Sequence, residues 1–428
     1  MPFRLAALIL AIFCVGTAEL SPSGMLDDLS ADLTVSLAMA GLLVTAYALT
    51  MVVGGPLVTA LTTRVRRKTL LVGLLAVFVL GNVVCALAPG FGVLMAGRVL
   101  TAVVHGTFMA VCVVTAGAMV GEGKGGAAVA ATQLGINLAT VLGVPMGSFL
   151  AQHYDWRAPF GIVAALASVA IVLVLLWVPD TPRPTVSAAH EARVFRRPAV
   201  WGTVGATVLC SGGMFTLITY MVPLLTGVGH LSRQWVPAVL LAYGVGSIVG
   251  NLLGGRYADH GVDRAVGQLS WALVAVCLLA WLLAPHPVGG AVALVLFSLA
   301  TFALIPGLQA KVLAEAADAP TLSLTANMSA FGLGAALGSW LGGLLTDSGF
   351  GIRAVPLGAA ALTAGGALLV LGLARAARRA PAGHAPADHT PADHAPAGHA
   401  PAGHAPADHT PTDHTPDSLP LAVPTTER

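Results

Sequence analysis

The chain predicts an all-α integral membrane protein, a bundle of twelve transmembrane helices, on three observations. Of its 428 residues 56% are hydrophobic and 9% charged, whereas roughly a quarter of a soluble domain is charged. Mean hydropathy is +0.84. Runs without Asp, Glu, Lys or Arg reach the length of about 20 residues that a helix needs to cross a bilayer, and they lack the period-two alternation of a membrane barrel. The 21 Lys and Arg against 19 Asp and Glu leave a net charge of +2, so no basic excess exists to hold nucleic acid.

The expected spans are residues 5–25, 36–61, 69–88, 92–120, 126–150, 158–178, 199–225, 234–254, 267–284, 289–313, 321–346 and 354–374. The uncharged run 265–310 holds two of them, divided by Pro285-His286-Pro287 and Gly289-Gly290, a turn signal. Arg4, the apolar Leu5–Val15 run and Gly16-Thr17-Ala18 have the layout of a secretory signal. An uncleaved first span instead gives even symmetry and a consistent charge map, and it is the reading adopted. With both termini cytoplasmic, inner loops carry Arg4, Arg64, Arg66, Arg67, Lys68, Lys124, Arg183, Arg193, Arg196, Arg197, Arg256, Arg264, Lys311, Arg375, Arg378 and Arg379. Outer loops carry only Arg157, Arg233 and Arg353, beside acidic Asp27, Asp28 and Asp32, so the positive-inside rule is met for a multi-pass plasma-membrane protein. All five cysteines fall within spans, with neither metal-site nor disulfide spacing.

The chain divides into a six-helix half (1–178), a cytoplasmic linker (179–198), a second six-helix half (199–375) and a disordered His/Pro/Ala-rich tail (376–428). Leu142-Gly143 and Gly147 align with Leu337-Gly338 and Gly342 at an offset of 195, and Thr59–Lys68 aligns with Gly255–Arg264 at 196. Two parallel repeats around a midplane site is a transporter construction.

Three motifs resemble the major facilitator superfamily, specifically its twelve-span drug:proton antiporters, over about residues 3 to 375. Thr59-Ala60-Leu61-Thr62-Thr63-Arg64-Val65-Arg66-Arg67-Lys68 resembles the G-x-L-a-D-r-x-G-r-k loop signature, with Thr59, Thr63 and Arg66 replacing its glycines and aspartate. The second copy keeps Gly255 and Asp259. Arg98, Thr101, His105 and Gly106 resemble the span 4 motif, and Gly143-Val144-Pro145-Met146-Gly147-Ser148 the antiporter motif G-x-x-x-G-P-x-x-G-G with its proline one place late. Gly16-Thr17-Ala18-Glu19 and Thr45-Ala46-Tyr47-Ala48-Leu49 look like bacterial chloramphenicol-resistance and arabinose-efflux exporters. The resemblance implies the major facilitator fold and gating roles for Arg64, Arg67, Lys68, Gly143, Pro145, Gly147, Gly255 and Asp259.

Only Glu19 and Arg98 stand well inside the expected spans, each about six residues from the outer end. A charge in hydrocarbon costs at least about 2.5–3.5 kcal/mol, so an ion pair between them is expected, either a permanent packing bridge or a poised proton acceptor. His105 shares the face of Arg98 two turns on, as a relay or a packing histidine. Tyr243, Ser247 and Asn251 form a polar stripe, and Asn137, Tyr47 and Tyr220 join them as candidates for the cavity wall, with helix-to-helix hydrogen bonding as the competing role. In the tail, seven histidines from His384 to His414 recur every five residues among aspartates; weak metal binding and functionless repeat expansion are both open.

Nothing resembles a catalytic or P-loop motif, so the chain is expected to be neither an enzyme nor an ATP-driven pump, without metal or other cofactor. The expected function is proton-coupled export of a small, largely apolar drug such as chloramphenicol by a monomer. Sugar or metabolite efflux is the alternative, which would need a cavity richer in donors and acceptors.

Overall fold

The computed structural model describes residues 2–62, 64–120, 134–180, 198–315 and 320–379. Among them twelve helices are long and apolar enough to cross a membrane: Phe3–Gly24, Leu37–Leu61, Arg67–Ala86, Phe91–Met119, Leu134–His153, Arg157–Trp177, Pro198–Val228, Arg233–Ala258, Val262–Leu283, Pro287–Glu315, Ala326–Asp347 and Ile352–Ala376. They are spans 1 to 12 below, and no strand occurs among the described residues. The expected start of span 5, nearly all of the linker and the histidine tail lie outside the described residues. Because the spans alternate in direction, the start of span 1 and the end of span 12 lie at one end of the bundle, called proximal here; the opposite end is distal.

Lys311 differs from expectation. Assigned from sequence to an inner loop, it lies within span 10 and is 3% exposed, held by Asp263 and by Glu315 at 3.3 Å. The loop after span 1 also contains a short helix, Leu26–Asp32. Asp27 and Asp28 in its first turn oppose the positive end of the helix dipole, while Met25 and Leu29 join Leu43, Leu94, Trp156 and Phe160 in a buried cluster. Ser36 then caps span 2, its Oγ accepting from Met39 N at 3.1 Å.

Proline distorts two spans. Pro145 has no N–H for the ladder, and a π-helical turn occupies Ala139–Gly143 immediately before Val144–His153. Pro223 is likewise followed by a π turn, Leu224–Val228.

Two cores hold the bundle. Leu8, Ile12, Leu71, Phe78, Phe108 and Val163 belong to one, built from the first six spans. Met214, Leu217, Leu240, Leu273, Phe297 and Leu308 belong to the other, built mainly from the last six. Packing inside the two groups repeats at the offsets seen in sequence. Gly54 of span 2 approaches Val103 of span 4 so closely that a Cβ would lie 2.9 Å from its Cα. At 196 residues further on, Gly250 of span 8 meets Leu299 of span 10. Gly143 of span 5 presses on Thr17 of span 1, and 195 residues on Gly338 presses on Gly212. Only a missing side chain permits such close helix crossings.

Candidate transport site

Arg98, His105 and Glu19 converge where spans 1, 2 and 4 meet. The crossing of spans 2 and 4 is tight because Gly55 faces Gly106, a Cβ on Gly55 lying 3.4 Å from Gly106 Cα. This brings His105, the neighbour of Gly106, to Tyr47: Nδ1 lies 2.8 Å from the phenol oxygen, with the rings edge-on at 86°. On the other side of the imidazole, Nε2 lies 3.8 Å from a carboxylate oxygen of Glu19.

Arg98 corrects an expectation. Its guanidinium does not pair with the Glu19 carboxylate but donates to main-chain carbonyls, Nη1 to Ala18 O and Nη2 to Glu19 O at 3.3 Å. Its carbon also sits 4.1 Å from the Tyr47 ring centroid. A planar fork of N–H donors is well served by two adjacent carbonyls and an aromatic face. Arg98 is 1% exposed, and its Nε has no partner among the described residues. The Glu19 side chain remains 27% exposed, so the span 1 acid reaches solvent-accessible space while its cationic neighbour is sealed.

The repeat makes the cluster lopsided. At 195 residues after Glu19 stands Met214, and 196 after Tyr47, Arg98 and His105 stand Tyr243, Leu294 and Thr301. The second group thus keeps the tyrosine and loses every charge.

Most expected cavity residues are placed elsewhere. Tyr47, 1% exposed, belongs to the charged cluster. Tyr220, fully buried, donates to Ser339 O at 3.3 Å and packs against Gly41 of span 2 and Gly342 of span 11, so it wedges three helices rather than lining a cavity. Ser247 is also fully buried and donates to Gly244 O within its own helix. Tyr243 is 3% exposed and meets Phe302 edge-on at 6.3 Å. A hydroxyl without water needs a nearby carbonyl, and spacing by helical turns cannot separate such a role from ligand contact. Asn137 and Asn251 are part-exposed and stay available as wall residues.

The described contacts of the residues expected to gate do not cross between the two six-span groups. Lys68 Nζ donates to Leu175 O at 2.8 Å, and Arg66 lies 3.5 Å from Asp180. Arg64, Arg67, Gly255 and Asp259 make no described polar contact with the opposite group; a Cβ on Gly255 would meet nothing within 4 Å, and Asp259 is exposed at the end of span 8. Gly143 and Gly147 form the span 1 seam, the latter against Ser21, with Pro145 between them at the π turn.

Polar contacts between the groups gather at the distal end. Thr226 donates to Asp27 at 2.7 Å, Arg233 to Asp28 at 2.8 Å, and Ser36 to Asp347 at 3.1 Å. Burial holds the carboxyls of Asp27 and Asp28 above the usual aspartate range, overcoming the Thr226 bond and nearby Arg233. Asp32 is held below that range by the indole N–H of Trp156 and by Arg157. Sequence reasoning noted these acids as loop charge only. Their clustering in six residues before a span was the available signal.

Twelve spans, an internal repeat and a buried charged cluster in one repeat define a membrane transporter rather than a receptor or channel. Residues 8–323 match the Major Facilitator Superfamily, and the chain belongs to that family. It is 38% identical over 372 residues to the inner membrane transport protein YdhP of Escherichia coli K12, covering 86% of this chain and 95% of the relative. A chloramphenicol resistance protein of Streptomyces lividans is 33% identical over 348 residues, covering 79% and 88%. Among solved structures, an inward-facing bacterial homologue of the human lysosomal transporter Spinster superposes with a TM-score of 0.71 at 16% identity, over 88% of this chain and 98% of that one.

Proposed function

We propose that the chain exports a small, largely apolar compound, chloramphenicol being the first candidate, in exchange for protons. It does so in the plasma membrane with both termini cytoplasmic, by alternating access of two six-helix halves. The observation that carries the reading is the confinement of Glu19, Arg98 and His105 to one repeat, opposite the neutral Met214, Leu294 and Thr301. One half then binds the coupling ion while the other supplies an apolar counter-wall. The polar contacts that bridge the distal end support a state closed at that end. The relative named for chloramphenicol resistance supports the substrate class. A potential of 100 mV contributes about 2.3 kcal/mol per charge, enough for a gradient of roughly fiftyfold in a neutral substrate.

The test expresses the protein in an efflux-deficient bacterium and measures resistance and accumulation for an antibiotic panel led by chloramphenicol, beside Glu19→Gln at equal membrane abundance. Wild type should lower accumulation and the variant should not. Full export by Glu19→Gln refutes coupling through Glu19, and no effect on any drug moves sugar or metabolite export ahead.

A further inference from the structure

Tyr47 stands between two systems. Its hydroxyl meets His105 Nδ1, its ring lies under Arg98, and the next residue, Ala48, packs with Ala335 and Ala336 of span 11. The same stretch of span 2 presents Met51 and Val52 to Gly332. One turn of helix therefore touches both the proton-binding cluster and the opposing six-span group. The groups facing Glu19 are His105 and Arg98 from span 4 and Tyr47 from span 2, with Cys85 of span 3 behind Arg98 and Tyr47.

The Tyr47–His105 bond admits either tautomer, and an anion at Glu19 favours the one protonated on Nε2. A phenol O–H donating to Nδ1 leaves the imidazole proton on Nε2, the nitrogen that faces the Glu19 carboxylate. With Glu19 ionised, the phenol–imidazole hydrogen bond is polarised toward a carboxylate that lies 3.8 Å beyond Nε2, an electrostatic contact rather than a hydrogen bond. A proton bound by Glu19 removes the anion, Nε2–H loses its charged partner, and the phenol–imidazole bond slackens.

Resting on the reading of Glu19 as the proton site, we infer that Tyr47 is the positioning residue that transmits its charge state, through His105, to the seam between spans 2 and 11. Its phenol anchors span 2 to span 4 while Glu19 is ionised and releases it when Glu19 is protonated.

The test uses the full chain in lipid nanodiscs, with Tyr154→Cys and Phe350→Cys spin-labelled for distance measurement across the distal end. Both positions are exposed, at 76% and 79%, and the native cysteines are buried. An Asp27→Asn, Asp28→Asn background removes the two distal acids with raised values from the titration. The parent should change its distance distribution with pH, and Glu19→Gln should abolish the change. Tyr47→Phe, which keeps the ring under Arg98, should reduce the change at least fivefold at unaltered thermal stability. His105→Ala should do the same, with the double variant no worse than either single. A wild-type titration in Tyr47→Phe with Glu19→Gln locked overturns the role of Tyr47 and leaves Glu19 standing. Additive losses overturn the link through His105. If Tyr47→Phe does not fold, the His105→Ala arm decides: a wild-type titration there overturns the inference and a loss supports it. A wild-type titration in Glu19→Gln defeats the proton reading itself and the inference with it.

Discussion

Removing the distal contacts should open that end. In the double variant Thr226→Val with Arg233→Gln, Asp27 loses a 2.7 Å bond from a part-buried hydroxyl and Asp28 loses its guanidinium. A hydrogen bond to a charged acceptor is worth about 1.5–3 kcal/mol. The second pair counts for less, because Arg233 is 55% exposed and such pairs contribute at most about 1 kcal/mol. Together they amount to about 2–4 kcal/mol, or a factor of about 30 to 800. A closed-to-open ratio of about 100 to 1 would then fall to between about 3 to 1 and 1 to 8. Spin-label distances between positions 154 and 350 measure it directly. An unchanged closed population would show that the apolar seams, not these contacts, hold the distal end shut. The same acids set a pH dependence. Asp27 and Asp28 bind protons more tightly when buried in the closed arrangement. Their titration therefore favours closure at low pH, and that contribution is lost as pH rises through their raised values, in a window starting near the ordinary aspartate value of about 3.9.

Three further outcomes are expected. Gly54→Ala and Gly250→Ala, each crowding a neighbouring helix backbone, should lower thermal stability in detergent by the equivalent of about 1–3 kcal/mol. Gly73→Ala, with nothing within 4 Å of its Cβ, should be neutral or stabilising. Replacing both Asp263 and Glu315 by their amides leaves Lys311 buried without its acids and should cost about 3–5 kcal/mol, whereas Lys311→Met leaves only part-exposed carboxylates and should cost much less; equal melting temperatures would contradict this. Glu19→Gln should keep wild-type thermal stability while abolishing proton-driven accumulation in everted vesicles, since its side chain forms no hydrogen bond that the amide would forfeit.

Much of the architecture was legible because membrane spans are written in composition: a lipid-facing helix must be apolar for about 20 residues, and each of the twelve expected segments is a helix. The repeat was legible for a related reason, since glycines such as Gly143 and Gly338 mark crossings whose geometry admits no other residue. Glu19 and Arg98 were conspicuous by cost alone. Their relationship was not. Sequence spacing places both at one depth and suggests an ion pair, yet a guanidinium has five donors, and the carbonyls of Ala18 and Glu19 with the Tyr47 ring occupy it instead. Tyr220 and Ser247 donate to carbonyls in this structure, contacts invisible in the sequence because a polar side chain in a span satisfies a carbonyl or a ligand with the same signature.

By itself, the sequence determined the medium, the number of spans, the repeat and the location of the costly charges, because each follows from transfer free energy and helix period along one segment. The tertiary structure alone decided which groups meet: Tyr47 with His105, 58 positions apart, and Asp27 with Thr226, 199 apart. Such contacts depend on which helix faces touch and how closely glycines let them approach, and no local pattern encodes that.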